Sequence, residues 1–361
     1  MQWDIFCRVI DNFGDVGVCW RLSAQLARRG ERVRLWLDDP QALAWMAPGA
    51  LQGDVPGIEV LHWTSPLPAG RLGDLPPADV WIEAFGCDPP AECVAQLADH
   101  VAAGAHAPVW INLEYLSAES YVERSHRLPS PVMSGPARGL GKWFFYPGFT
   151  ERTGGLLREP DLLKRQAAFQ PEVWLADLRM PVRNGSRRVS LFCYEPPALS
   201  NVLQQAGQAA DASDWLVTPG RAWQLVQQAG PVGPGCRLHA LPLLPQHDFD
   251  HLLWSADLNF VRGEDSLARA LWAGKPFVWH IYPQHDDAHH AKLQAFLDWM
   301  QAPASLRDFH HAWNGTGAAS ADWPDAATLQ DWEGCARAAR ERLLAQADLC
   351  SQLIRFVLEK R

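Results

Sequence analysis

The chain has 361 residues, 48% hydrophobic and 20% charged, with a formal net charge of −9. That length exceeds a usual single core and predicts two domains, while the acidic balance argues against a nucleic-acid-binding surface as the main business, since phosphate repels such a field. No apolar run reaches the length of a bilayer crossing, and "MQWDIFCRVI" shows no basic region before a cleavage site, so neither a membrane association nor a signal peptide is expected.

Residues 3–10, "WDIFCRVI", read as a first strand, followed by the loop "DNFGDVG". "VCWRLSAQLARRG" places Cys19, Leu22 and Leu26 on one helical face, with Arg28 and Arg29 in the last turn and Gly30 as the stop. "RVRLWLD" is a second strand, completing a βαβ unit. "ADVWIEAFG" and "APVWINLEYL" read as further buried strands, so a parallel sheet covered by helices is expected. Residues 127–160, dense in Pro and Gly, read as an irregular segment leading out of the first domain, with a helical piece near 161–178. The alternation restarts with the strand "RRVSLFCYE" and the helix "ALSNVLQQAGQAA". "DWLVTPG", "CRLHALPLL" and "DLNFV" are strands; "SLARALWAGKPFVWHIY" is a helix, a turn at Gly274 and a strand. From about residue 325 the pattern is helical. The expected division is a first domain over 1–153, a linker over 154–182, a second domain over 183–345 and a terminal helix over 346–361 whose path is open and which can pack back on the first domain, with a ligand cleft between the halves. The eight cysteines form no Cys-x-x-Cys pair and sit mostly among apolar residues, the pattern of a reduced cytoplasmic protein.

Four stretches carry candidate chemistry. In "VIDNFGDVG", Asp11 and Asp15 lie just past a strand end, the ligand-facing edge of an open α/β sheet. One of them could simply cap the helix while Asn12 shapes the turn; alternatively the pair is a general base or a grip on a cation. Gly14 and Gly17 have G-x-x-G spacing and miss the dinucleotide fingerprint. In "FVRGEDSLARAL" a strand ends and a helix begins near Ser266, where backbone N–H groups favour a phosphate and Arg262 adds a cation. Glu264 and Asp265 could accept from sugar hydroxyls or from Arg262; a plain capped helix start with a surface ion pair is the alternative. In "SLFCYE", Phe192 and Tyr194 are two apart and face one side of an extended segment, as core or as a platform for a flat base. Gln246 and Phe249, read as loop residues in "PLLPQHDFD", suit reading a pyrimidine edge and stacking its face. In "HIYPQHDDAHHAKL" the i, i+4 pair His285 and His289 would permit a metal, but a capped helix start is the simpler reading and no metal is expected.

Taken together, "IDNFGDVGVCWRL", "INLEYLSAESYVE", "SLFCYE" and "LPQHDFDHLLWSADLNFVRGEDSLARALWAGKPFVWHIYPQHDDAH" resemble the bacterial protein-arginine rhamnosyltransferases that modify elongation factor P, in the same order over nearly the whole chain. The resemblance implies a GT-B architecture, two facing Rossmann-like domains with a cleft between them. It implies a dTDP-β-L-rhamnose donor held by the second domain, an arginine of elongation factor P as acceptor on the first, inversion at the anomeric carbon, and neither metal nor cofactor. By motif, Asp15 matches the family's general base and Asp11 its companion. Phe192 and Phe249 match thymine contacts, Gln246 a base-edge contact, and Arg262, Gly263, Glu264, Asp265 and Ser266 the ribose and diphosphate site. Tyr282 matches a phosphate contact, and Tyr194 belongs to the same stretch as Phe192. Family members often carry a non-histidine residue where His285 and His290 stand. On position, Asn12, Phe13, Gly14 and Glu114 are candidates for the acceptor side, as are the stretches "NLEYLSAES" and "KWFFYPGF". A nucleotide-sugar epimerase of similar fold and a non-catalytic nucleotide-sugar binder are the competing readings.

Overall fold

The computed structural model describes residues 1–10, 13–67, 70, 72–73, 75–284, 287–317 and 321–361. The chain divides into two compact units, Met1–Glu159 together with Gln346–Arg361, and Pro160–Ala345.

In the first unit the strands are β1 Gln2–Cys7, β2 Arg32–Leu37, β3 Ile58–His62, β4 Val80–Ala84, β5 Val109–Leu113, β6 Pro129–Pro131 and β7 Gly141–Phe145. Among the described residues they form one sheet in the order β3-β2-β1-β4-β5-β7-β6, parallel except for the edge strand β6. β1 is buried along its whole length, which is why it reads as a near-continuous apolar run. Its residues nevertheless sort with period two. Trp3, Ile5 and Cys7 join a core with the helix Gly14–Arg28, whereas Phe6 faces an aromatic layer of Trp36, Trp81 and Trp110. On that second face the register pairs Asp4 with Arg34, and the two form a buried bidentate ion pair at 2.5 and 2.8 Å. The helix Leu349–Lys360 puts Leu353, Phe356 and Val357 into the core shared by Trp3 and Phe145. Its start is fixed by Asp348, which accepts from the Ser351 N–H and pairs with Arg29 at 2.8 Å.

The second unit holds β8 Arg187–Leu191, β9 Ser213–Val217, β10 Cys236–Ala240, β11 Leu258–Arg262 and β12 Phe277–His280. Its sheet is wholly parallel, in the order β10-β9-β8-β11-β12. Counted within the unit this is the 3-2-1-4-5 order, the same as that of the first five strands of the other sheet. In both, connections to the first strand's two neighbours run in opposite directions, which opens a crevice at the carboxyl ends beside β1 and β4, and beside β8 and β11.

Several sequence expectations are corrected. Residues 154–182 are not set apart as a linker: 154–159 belong to the first unit and 160–182 to the second, the latter forming the helices Leu162–Ala168 and Pro171–Asp177. Residues 127–160 are not wholly irregular, since β6 and β7 extend the sheet there. The helix expected to begin near Ser266 begins at Gly263, so "GEDS" is its first turn. Gln246 and Phe249, read as loop residues, lie on the helix Gln246–Ser255, started by Pro245.

Candidate active-site residues in the two units

At the β8/β11 crevice the sequence-selected residues of the second unit form one connected group. β11 ends at Arg262, and the helix Gly263–Ala273 starts at once. Gly263 has φ +66°, a left-handed value that turns the chain from strand into helix and that a side chain would strain. Ser266 locks this turn on itself: its Oγ accepts from the Arg262 N–H at 3.0 Å and donates to the Arg262 carbonyl. Trp279 of β12 holds the same turn from the neighbouring strand, its indole N–H donating to the Gly263 carbonyl at 2.9 Å.

Arg262, only 8% exposed, lays its guanidinium over two rings, with Cζ 4.5 Å from the Phe192 centroid and 4.4 Å from that of Tyr194. The two-residue spacing at the end of β8 therefore does place both aromatics on one side. Phe192 meets Phe249 edge-to-face at 5.6 Å, and Tyr194 meets Tyr282 in the same manner at 5.5 Å. Gln246 Nε2 donates to Asp265 Oδ2 at 3.3 Å, which ties the base-edge candidate to the helix start. Glu264 is paired with Lys292 at 2.7 Å rather than standing as a lone carboxylate. The sequence reading missed three supports, Trp279, Lys292 and His280. His280 sits opposite Arg262 in the β11–β12 register, and its Nδ1 accepts the Tyr194 N–H at 3.3 Å. Burial, reinforced by the nearby Arg262 charge, pushes its pKa down to about 3, so the ring is neutral and acts as an acceptor here. Its proximity to Tyr282 in "FVWHIY" was the available signal.

In the first unit Asp15 stands in the first turn of the helix Gly14–Arg28, 4% exposed. Its Oδ2 accepts the Ile10 N–H at 2.9 Å, and Asp38 accepts the Val9 N–H at 2.8 Å, so two carboxylates pin the chain leaving β1. Asp11 and Asn12 lie outside the described residues. Gly14 begins the helix, and Phe13 packs edge-to-face on Trp45 at 5.2 Å. Glu114 follows β5 directly; its Oε1 accepts from Asn112 Nδ2 at 2.8 Å. Around it gather Tyr115, stacked on Phe85 at 4.8 Å, and Tyr121, edge-on to Tyr146 at 5.9 Å. Burial first, then the neighbouring Glu114, pushes the Tyr146 phenol up to about 12, so it stays protonated.

Among the described residues two groups have ligand atoms close enough to share a metal: His247, Asp248 and His251, and Asp287, His289 and His290. His285 lies outside the described residues, so the expected His285–His289 pair is not described. His289 Nδ1 accepts the Gln284 N–H at 3.1 Å, a structural use of that nitrogen.

Comparison with known proteins agrees with the geometry. The family described as Elongation-Factor P (EF-P) rhamnosyltransferase EarP matches residues 3–358. A protein-arginine rhamnosyltransferase of Pseudomonas putida is 43% identical, over 98% of each chain, and one of Pseudomonas aeruginosa is 41% identical over the same shares. A solved structure described as the structural basis for EarP-mediated arginine glycosylation of translation elongation factor EF-P matches with a TM-score of 0.66 at 30% identity, covering 100% of this chain and 99% of that one. The glycosyltransferase VinC in complex with dTDP, at 12% identity, covers 100% of both chains with a TM-score of 0.54 and shares the fold. Two parallel-sheet Rossmann-like units place the architecture in the GT-B class of glycosyltransferases. With its match running over 3–358, the chain belongs to the elongation-factor-P rhamnosyltransferase (EarP) family.

Proposed function

We propose that this protein transfers L-rhamnose from dTDP-β-L-rhamnose to an arginine side chain of elongation factor P, with inversion at the anomeric carbon and without a metal. One observation carries the donor half of this reading: Arg262 lies over both Phe192 and Tyr194 at the start of a helix whose first turn is "GEDS". The helix start offers backbone N–H groups and a positive dipole end to the diphosphate, with the Arg262 charge beside them. Phe192 and Phe249 supply faces for thymine, and Gln246 supplies the edge contact.

The acceptor half follows from the chemistry of guanidinium. Its pKa lies above about 12, so full deprotonation at neutral pH costs on the order of 7 kcal/mol. The proton must therefore leave as the bond forms. In the proposed step a guanidine nitrogen attacks C1 of rhamnose, and the C1–O bond to the diphosphate breaks. dTDP departs with the electron pair, and Asp15 takes the proton from the nitrogen. Arg262 and the helix start stabilise the leaving diphosphate, the task that a metal performs in other transferases. Asp11 is assigned the companion role of gripping the guanidinium. The Ile10 amide orients the Asp15 carboxylate, so one side chain both shapes the loop and serves as base.

The test is to incubate the protein with dTDP-rhamnose and elongation factor P and weigh the acceptor intact. A gain of one deoxyhexose is expected. An epimerase would convert the sugar nucleotide with no mass gain on the acceptor, and a binder would do neither.

A further inference from the structure

Strand register places a second feature beside the Asp15 loop. Cys7, Ala84 and Leu113 are cross-strand neighbours at the carboxyl ends of β1, β4 and β5. Adjacent strands lie about 5 Å apart, so whatever follows β4 and β5 stands within about 10 Å of the β1 end. Phe85 follows Ala84 at once, and Glu114 and Tyr115 follow Leu113. Phe85 has φ +59°, a left-handed value that strains a bulky residue and persists where the surroundings enforce it. Here its N–H donates to the Leu113 carbonyl at 2.8 Å. The strained turn lays the buried Phe85 ring beneath Tyr115, parallel within 23° at 4.8 Å. Tyr115 itself is 38% exposed, so one ring is backed by protein while part of its surface faces solvent. Glu114 stands next to it in the chain, and the pinned Asp15 loop lies two strands away.

A rigid, backed aromatic with acidic neighbours at a ligand-facing sheet edge matches a planar cation. We infer that Tyr115, supported by Phe85, is a positioning residue on which the acceptor's arginine guanidinium stacks, with the adjacent Glu114 adding negative charge. This deepens the proposed function and rests on it. Stacking holds the guanidinium plane and one face while leaving its in-plane N–H groups to the carboxylates, which hydrogen bonding alone would not fix.

The test compares Tyr115→Ala and Tyr115→Phe in steady-state transfer to elongation factor P, with dTDP affinity measured by calorimetry and folding by thermal melting. Tyr115→Ala is expected to raise the acceptor KM roughly five- to thirtyfold, in line with the strength of a cation–π contact. dTDP affinity and melting should stay at wild-type values, and Tyr115→Phe, which keeps the ring, should behave like wild type. Normal acceptor kinetics in Tyr115→Ala would overturn the inference while leaving the proposed function standing. Equal losses in both variants would overturn it too, since they would assign the effect to the hydroxyl. If the wild-type protein modifies no acceptor, the proposed function fails first and the inference with it.

Discussion

Asp15 illustrates how a residue chosen from sequence acquires a second duty in the fold. Its position after β1 was legible, and so was the choice between a structural cap and a base; Asp15 lies inside the first turn, after the N-cap Phe13, and its Oδ2 holds the Ile10 amide ahead of the helix, so its structural duty is to pin the loop. Asp15→Asn separates the two, because an amide oxygen can still accept from Ile10 but cannot take a proton. Transfer is expected to fall by at least about a hundredfold, within the range of general-base contributions, with dTDP affinity and melting unchanged. Turnover near the wild-type rate would remove Asp15 as the base. At the donor group, Phe192→Ala and Phe249→Ala should each weaken dTDP and dTDP-rhamnose alike, since thymine is common to both; by the usual worth of base stacking, each should cost about 1–3 kcal/mol of binding. Calorimetry that finds dTDP affinity intact would dismiss the aromatic platform. Of this group the sequence supplied the membership. Its wiring was not readable: Lys292 on Glu264 and His280 under Tyr194 come from a distant helix and a neighbouring strand.

At the scale of elements, periodicity served where a strand or helix was buried on a regular face. β1, β2, β4, β5 and β8 to β12 fall within the expected runs to within one residue at an end, because most of these parallel strands are covered on both sides and so read as apolar runs. The failures have a common cause. "PLLPQHDFD" looks polar and Pro-rich, yet the helix Gln246–Ser255 forms because Leu252 enters the core and Asp250 is buried in an ion pair with Arg269 at 2.6 and 2.7 Å. Tertiary partners thus overrode a polar local pattern. Packing also makes one glycine indispensable. A Cβ on Gly207 would lie 2.4 Å from the backbone nitrogen of Gly233, and backbone cannot step aside as a side chain can. Gly207→Ala should therefore destabilise the protein by about 1–3 kcal/mol, read as a lowered denaturation midpoint. An unchanged midpoint would mean that the loop at Gly233 can yield.

For the whole molecule, pH and salt give the relevant handles. Burial lowers the pKa of His126 and His310 to about 4 and that of His280 to about 3, against an ordinary 6.5. The unfolded chain therefore binds protons that the folded chain refuses. Stability is full above pH 6.5 and is lost as pH falls through the folded values. The melting temperature should drop progressively from pH 7 toward pH 4. Burial raises the carboxyl pKa values of Asp4 and Glu83, which act in the opposite sense and soften the slope. A flat profile from pH 7 to pH 4.5 would contradict the buried-histidine account. The net charge of −9 also predicts that association with a basic acceptor surface weakens as salt rises; a salt-independent affinity would show that charge steering is absent.

By itself the sequence determined the α/β class, the two alternating halves, the strand-end location of Asp15, Phe192 and Arg262 and the resemblance to a family, because apolar periodicity and turn chemistry are local and therefore written in the chain. The tertiary structure alone decided that residues 346–361 complete the first unit, that Arg262 rests on both Phe192 and Tyr194, and that Phe85 backs Tyr115. Each of these joins residues far apart in the chain, and such contacts are set by strand order and register, which no local pattern encodes.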